Sequence, residues 1–314
     1  MLAFFHYLTL LAPMFGLAGL GFALARLPFW RRSWTRAISR FVFAVPLPAL
    51  LLYLMSDLSR LPAVDARLLI AFFGSCLLVF GLGRVIAKLA FQLDGVGQSV
   101  FALGGVFSNN VLLGVPLAKL ALGPEALPSV ALVLVFNALT LWTLATVSVE
   151  WARRGSLSWS GLGQTLRGVL GNPIILAILC GTALGLSRIR LPFPVTQVLA
   201  ALSAIAGPLA LVVVGLGLSE YGVRQQLAQS LTITALKLLV QPAVVWLLAV
   251  ALHLPATERH AVVLLGSLSV GVNVYLVATQ FETLEAAIAS SLVLSTALAA
   301  LTTPLVLALQ GAFG

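Results

Sequence analysis

Long apolar runs alternate with short polar links along the whole chain, and none of the runs shows the two-residue alternation of a membrane β-barrel. Bounded by charges, glycines and prolines, the runs lie near residues 4–26, 37–55, 66–90, 96–120, 126–149, 168–187, 194–219, 228–251, 259–281 and 284–309. A ~30 Å hydrocarbon core needs ~20 apolar residues at ~1.5 Å of rise each, so every run is long enough to cross it as a helix. The pattern predicts an all-α membrane protein of ten transmembrane helices. The first residues, MLAFFHYL, lack a basic segment of the signal-peptide kind, and the first run is expected to be a retained helix.

Composition agrees with this reading. Of 314 residues, 61% are hydrophobic and 9% charged, against roughly 45–50% and about 25% for a soluble domain. The net charge of +9 comes from Lys and Arg in the links, with no aromatic-interleaved basic surface, so a nucleic-acid partner is not expected. Arg26, Arg31, Arg32, Arg36, Arg40, Arg84, Lys88, Arg153, Arg154, Arg167 and Arg224 fall on one side of the bilayer. Arg60, Arg67, Lys119, Arg188, Arg190 and Arg259 fall on the other. The richer side is cytoplasmic by the positive-inside rule, which puts both termini outside. Cys76 and Cys180 lie in apolar runs and form no disulfide framework. His6, His253 and His260 sit at helix ends without ligand spacing, so neither a metal nor another cofactor is expected.

The longest link, Trp151 to Arg167, divides the chain into two sets of five runs. Residues 1–150 are expected to be one repeat, 151–167 a cytoplasmic link and 168–314 a second repeat. An odd number of crossings per half requires the halves to insert in opposite senses. NVLL at Asn110 to Leu113 recurs as NVYL at Asn273 to Leu276, and LPF follows both the first run, at Leu27, and the sixth, at Leu191. Inverted repeats with interrupted helices at the midplane are a mark of secondary transporters.

The fourth run contains FSNNVLLGVPL, Phe107 to Leu117. Pro116 removes a backbone donor, Gly114 costs about 1 kcal/mol relative to Ala, and Ser108, Asn109 and Asn110 would have to bury polar groups. The ninth run contains GSLSVGVNVY, with Gly266, Ser267, Ser269, Gly271 and Asn273. Both helices are expected to break and to cross, directing half-helix N-termini and amides at one spot suited to a carboxylate. Close packing of small residues is the alternative reading of the same positions. Lys237 is deep in the eighth run, TITALKLLVQPAVVW. Its ammonium would meet either the anion or carbonyls freed at a helix break. Asn137 reads as an interhelical hydrogen-bonding residue. All nine acids lie in links or at helix ends, which speaks against a carboxylate-caged ion site and leaves Ser108, Ser267 and Ser269 without a base for enzymatic chemistry.

At these residues the chain resembles the auxin efflux carrier family, whose members include the plant PIN transporters and bacterial relatives. The family pattern in helix four, N-T-x-F-x-G-x-P, is occupied by Asn109, Asn110, Leu112, Gly114 and Pro116, so the family's substrate-binding asparagine falls on Asn109. In helix nine the pattern P-T-A-A-N-A-F-V-L-A-E-Q-Y aligns with Asn273, Leu276, Ala278 and Gln280, while Ser269, Thr279 and Phe281 replace its proline, glutamate and tyrosine. PAL at Pro48, NPIILAILCGTALGL from Asn172, GPLAL from Gly207 and KLLVQP from Lys237 extend the likeness over nearly the whole chain. The resemblance implies an elevator-type carrier of organic anions such as auxin-like compounds or dicarboxylates, homodimeric, in the bacterial inner membrane. Helices one, two, six and seven would be its scaffold. A sodium-coupled symporter of the bile-acid-transporter type is the alternative. The expected substrate-binding residues are Ser108, Asn109, Asn110, Pro116, Lys237, Gly271 and Asn273.

Overall fold

The computed structural model describes residues 2–56, 65–154, 173–187, 189, 191–219 and 226–313. The link expected at 151–167 and the start of the sixth run fall largely outside these residues. Among the described residues the regular elements are helices, with one isolated antiparallel bridge. In order the helices are α1 (Leu2–Ala25), α2 (Arg32–Ala44), α3 (Pro46–Ser56), α4 (Ala66–Phe91), α5 (Gly95–Val106), α6 (Val115–Ala121), α7 (Leu127–Arg154), α8 (Pro173–Leu186), α9 (Phe193–Leu218), α10 (Leu227–Ala235), α11 (Gln241–Ala251), α12 (Ala256–Ser267), α13 (Val272–Gln280) and α14 (Glu285–Phe313). Single π turns at Asn110–Gly114 and Leu236–Val240 lead into α6 and α11. Among the described residues, six helices are long and apolar enough to cross a membrane: Leu2–Ala25, Arg32–Tyr53, Ala66–Phe91, Phe193–Leu218, Leu227–Ala251 and Glu285–Gly311. Their outward faces are apolar, as on α4, where Leu77, Leu78 and Leu89 are exposed.

Where the runs are interrupted, local chemistry accounts for it. The second run, expected to be one helix over 37–55, begins at Arg32 and changes direction at Val45. Pro46 cannot donate to Val42, and its ring would clash with that carbonyl. The eighth run, expected to be uninterrupted, carries the π turn Leu236–Val240, in which the Gln241 N–H reaches back five residues to the Leu236 carbonyl. The Val115 N–H likewise reaches the Asn110 carbonyl. Each π turn is followed at the second position of the next helix by a proline, Pro242 or Pro116. Widening the turn is one of the ways a helix admits a proline ring without breaking.

The helices pack as two groups. In the first, α1 lies along α9, and α3 packs against both α8 and α9, with α2 beside α3 and α9. The second holds α4, α5, α6, α7 and α10 to α14. The α1–α9 contact is close enough that a side chain at Gly21 would meet the Val212 carbonyl, and one at Gly215 the Ala18 carbonyl. Small residues are what allow helix backbones to approach like this in a bilayer. The groups meet where α1 touches α6 and α14, and where α9 touches the first π turn.

Candidate functional site

The interruptions in the fourth and ninth runs pair with each other. Helix α5 ends at Val106 and α12 at Ser267, and the extended residues that follow run antiparallel, with Ser108 opposite Val270. The Asn109 N–H donates to the Ser269 carbonyl at 3.0 Å, and the Gly271 N–H to the Phe107 carbonyl at 2.7 Å. This short pairing satisfies backbone groups that lipid could not. It also explains why the ninth run breaks without the proline of the family pattern. Leu268 and Gly271 are held extended by the partner segment, and a Cβ at Gly271 would sit 3.0 Å from the Ser108 carbonyl oxygen.

Around the pairing, α14 supplies two further bonds. The Ser295 hydroxyl accepts from the Val270 N–H at 3.0 Å, and the Thr303 hydroxyl donates to the Ser267 carbonyl at 3.3 Å. Lys237, fully buried, donates from Nζ to the Gly266 carbonyl in the last turn of α12. A cation at a helix C-terminus is favoured by the macrodipole, and here it also occupies a carbonyl near the break. One turn on, the Gln241 amide donates to Ser75 Oγ at 3.1 Å and Cys76 Sγ at 3.4 Å, tying the second π turn to α4. The Asn110 amide donates to Asn137 Oδ1 at 3.3 Å.

Several polar atoms at the crossing have hydrogen-bonding capacity left over. Among the described residues, Ser108 Oγ, Ser269 Oγ and Asn110 Oδ1 are buried without a partner. Buried polar atoms are paired in the great majority of cases, so each of these calls for an explanation. Beside the crossing is a cavity of about 270 Å³, slightly below the ~300–1,000 Å³ typical of drug-sized ligands. Asn109, Leu112, Val270 and Val272 line it from the crossing, Arg36 and Arg40 from α2, Val213 and Val214 from α9, and Leu292 and Thr296 from α14. It therefore lies where the two helix groups face one another.

The residues expected from sequence occupy different places. Asn109 lines the cavity and is 7% exposed. Ser108, Asn110 and Gly271 are at the crossing itself, buried around the paired segments. Asn273 is in the first turn of α13, partly buried. Pro116 lies beyond the first π turn, facing Gly207 of α9 across the groups. Lys237 bonds to the end of α12 and is not part of the cavity lining. Arg36 and Arg40 were assigned by sequence to topology alone. Their spacing of four residues, on the polar stripe of an amphipathic helix, is the signal that places both on one face.

A membrane-embedded, all-helical chain whose interrupted helices cross beside a cavity between two helix groups has the architecture of a membrane transporter. The family profile described as membrane transport protein matches residues 6–307, and the chain is a member of that family, the auxin efflux carriers. It is accordingly a transporter and not an enzyme. A protein of Rhizobium meliloti (strain 1021) named "Putative malonate transporter" is 26% identical over 302 residues, covering 93% of this chain and 92% of its own.

Proposed function

We propose that this protein is a secondary carrier of small organic anions, with short dicarboxylates as its preferred substrates. The observation that carries the reading is the cavity between the helix groups, lined by Asn109 from the crossing and by the cationic Arg36 and Arg40 from α2. Leftover acceptors and donors at the crossing favour a polar ligand there, and the name of the Rhizobium relative favours a dicarboxylate. Substrate is held by Asn109 with Ser108, Asn110, Gly271 and Asn273 around it. Lys237 holds the broken end of α12 in place rather than touching the anion.

Transport follows an elevator movement, in which the group containing the crossing slides along the group formed by α1, α2, α3, α8 and α9. The separate packing of the two groups supports this. The chain makes ten crossings in two inverted halves, in keeping with the antiparallel pairing of the two interrupted segments. It acts as a homodimer in a bacterial inner membrane with both termini outside.

The test is binding of carboxylates to the purified protein, read by calorimetry. Malonate is expected to bind, and Asn109→Ala to weaken it by about 10- to 150-fold, the ~1.5–3 kcal/mol of a hydrogen bond to a charged group. Equal affinity in parent and variant would remove Asn109 from the site.

A further inference from the structure

The crossing of the helices does not account for the two guanidinium groups opposite it. Arg36 and Arg40 are one turn apart on α2, so their Cα atoms are separated by ~6 Å of rise and both point to the same face. The cavity they line contains no Asp or Glu. The ion pair of Arg67 with Asp65 lies elsewhere. Two like charges at this spacing repel one another by only a few tenths of a kcal/mol, since both side chains are exposed, and an anion between them would be attracted by both. Helix α2 already carries Arg31 and Arg32 at its start, so orientation in the membrane does not require two more arginines facing a cavity. Beside them, Thr35 and Ser39 make this wall polar, whereas Leu112, Val213 and Val214 make the floor apolar.

A guanidinium presents a planar fork of donors matched to a carboxylate, in a way that the amide of Asn109 does not. We infer that Arg36 and Arg40 are the charge-selecting residues of the carrier, receiving the second carboxylate of a short dianion whose first carboxylate is held at Asn109. The inference rests on the proposed function and adds to it the residues that separate dianions from monoanions. With one end at the apolar, amide-bearing crossing and the other at the arginines, the cavity suits a ligand with two charged ends and a short carbon link.

The test compares malonate with its half-amide, malonamate, which has the same shape and one charge fewer, by calorimetry on the purified parent and on the Arg36→Gln, Arg40→Gln double variant. The parent is expected to bind malonate at least about tenfold more tightly than malonamate, the scale of one charge-assisted hydrogen bond. In the double variant malonate should weaken by about that factor while malonamate stays within about twofold, so that the discrimination disappears. Arg36→Lys with Arg40→Lys should keep part of it, and each single glutamine variant should lose part, which preserves the test if the double variant does not fold. Discrimination that survives in the double variant overturns the inference, as does a parent that binds both ligands equally. A parent that binds neither ligand overturns the functional reading as well, whereas Asn109→Ala losing both ligands alike upholds that reading separately.

Discussion

At Gly271 the two interrupted helices come within a methyl group of each other. A Cβ there would lie 3.0 Å from the Ser108 carbonyl oxygen and 3.2 Å from that of Phe107, and both obstacles are backbone. Gly271→Ala must therefore push the paired segments apart, and overpacking of this kind costs about 1–3 kcal/mol. A lower melting temperature and reduced uptake are expected, whereas Gly19→Ala, with open space around it, should lower neither. A Gly271→Ala protein that melts and transports like the parent would show that the pairing is looser than described. Asn109, Asn110 and Gly271 were legible in the sequence because amides and glycine are ill suited to a buried helix, so their presence in an apolar run demanded a reason. Arg36 and Arg40 were not legible as cavity residues. Arginine just after a first apolar run is already explained by topology, and only the packing of α2 along α3 and α9 brings its polar face to the cavity that Asn109 also lines.

Among the elements, the breaks in the fourth and ninth runs could be anticipated, and those in the second and eighth could not. The difference lies in what surrounds each proline. Pro116 follows two asparagines and a glycine, whereas Pro46 and Pro242 sit among apolar residues, where an interruption or a widened turn leaves little trace in hydropathy. The second π turn is where Lys237 bonds to the Gly266 carbonyl. Sequence left open whether its ammonium meets an anion or a freed carbonyl, because both readings need only a deep charge beside a break. On the geometry described, Lys237→Gln loses a charged cap from α12 and leaves the cavity lining intact. Malonate affinity should change by less than about tenfold, under ~1.4 kcal/mol, while the melting temperature and the transport rate fall. A loss of affinity as large as that of Asn109→Ala, with unchanged melting, would instead bring the lysine into contact with the anion.

For the molecule as a whole, the arginine bias predicts a cytoplasmic position for the link 151–167, and a single cysteine at Ser156 provides the check. In intact cells it should resist an impermeant maleimide and react once the membrane is opened; labelling from outside would reverse the orientation. The helical membrane class was readable from hydropathy alone, since 20-residue apolar runs have no other use in so uncharged a chain. The division into two packing groups was not, because it depends on which faces meet, and the sequence supplied it only through family resemblance. That division is the basis of the central claim, that the crossing carries an anion by sliding along α9 and its neighbours. Gly207 of α9 and Pro116 of α6 face each other across the groups, and a Cβ at Gly207 would be 3.7 Å from that of Pro116, within the ~3.5–4.5 Å that a disulfide spans. The most direct measurement is uptake of radiolabelled malonate by proteoliposomes containing Gly207→Cys with Pro116→Cys in a background lacking Cys76 and Cys180. Uptake is expected when the cysteines are reduced, none once they are oxidised and cross-linked, and recovery on adding reductant. Undiminished uptake by fully cross-linked protein would contradict it.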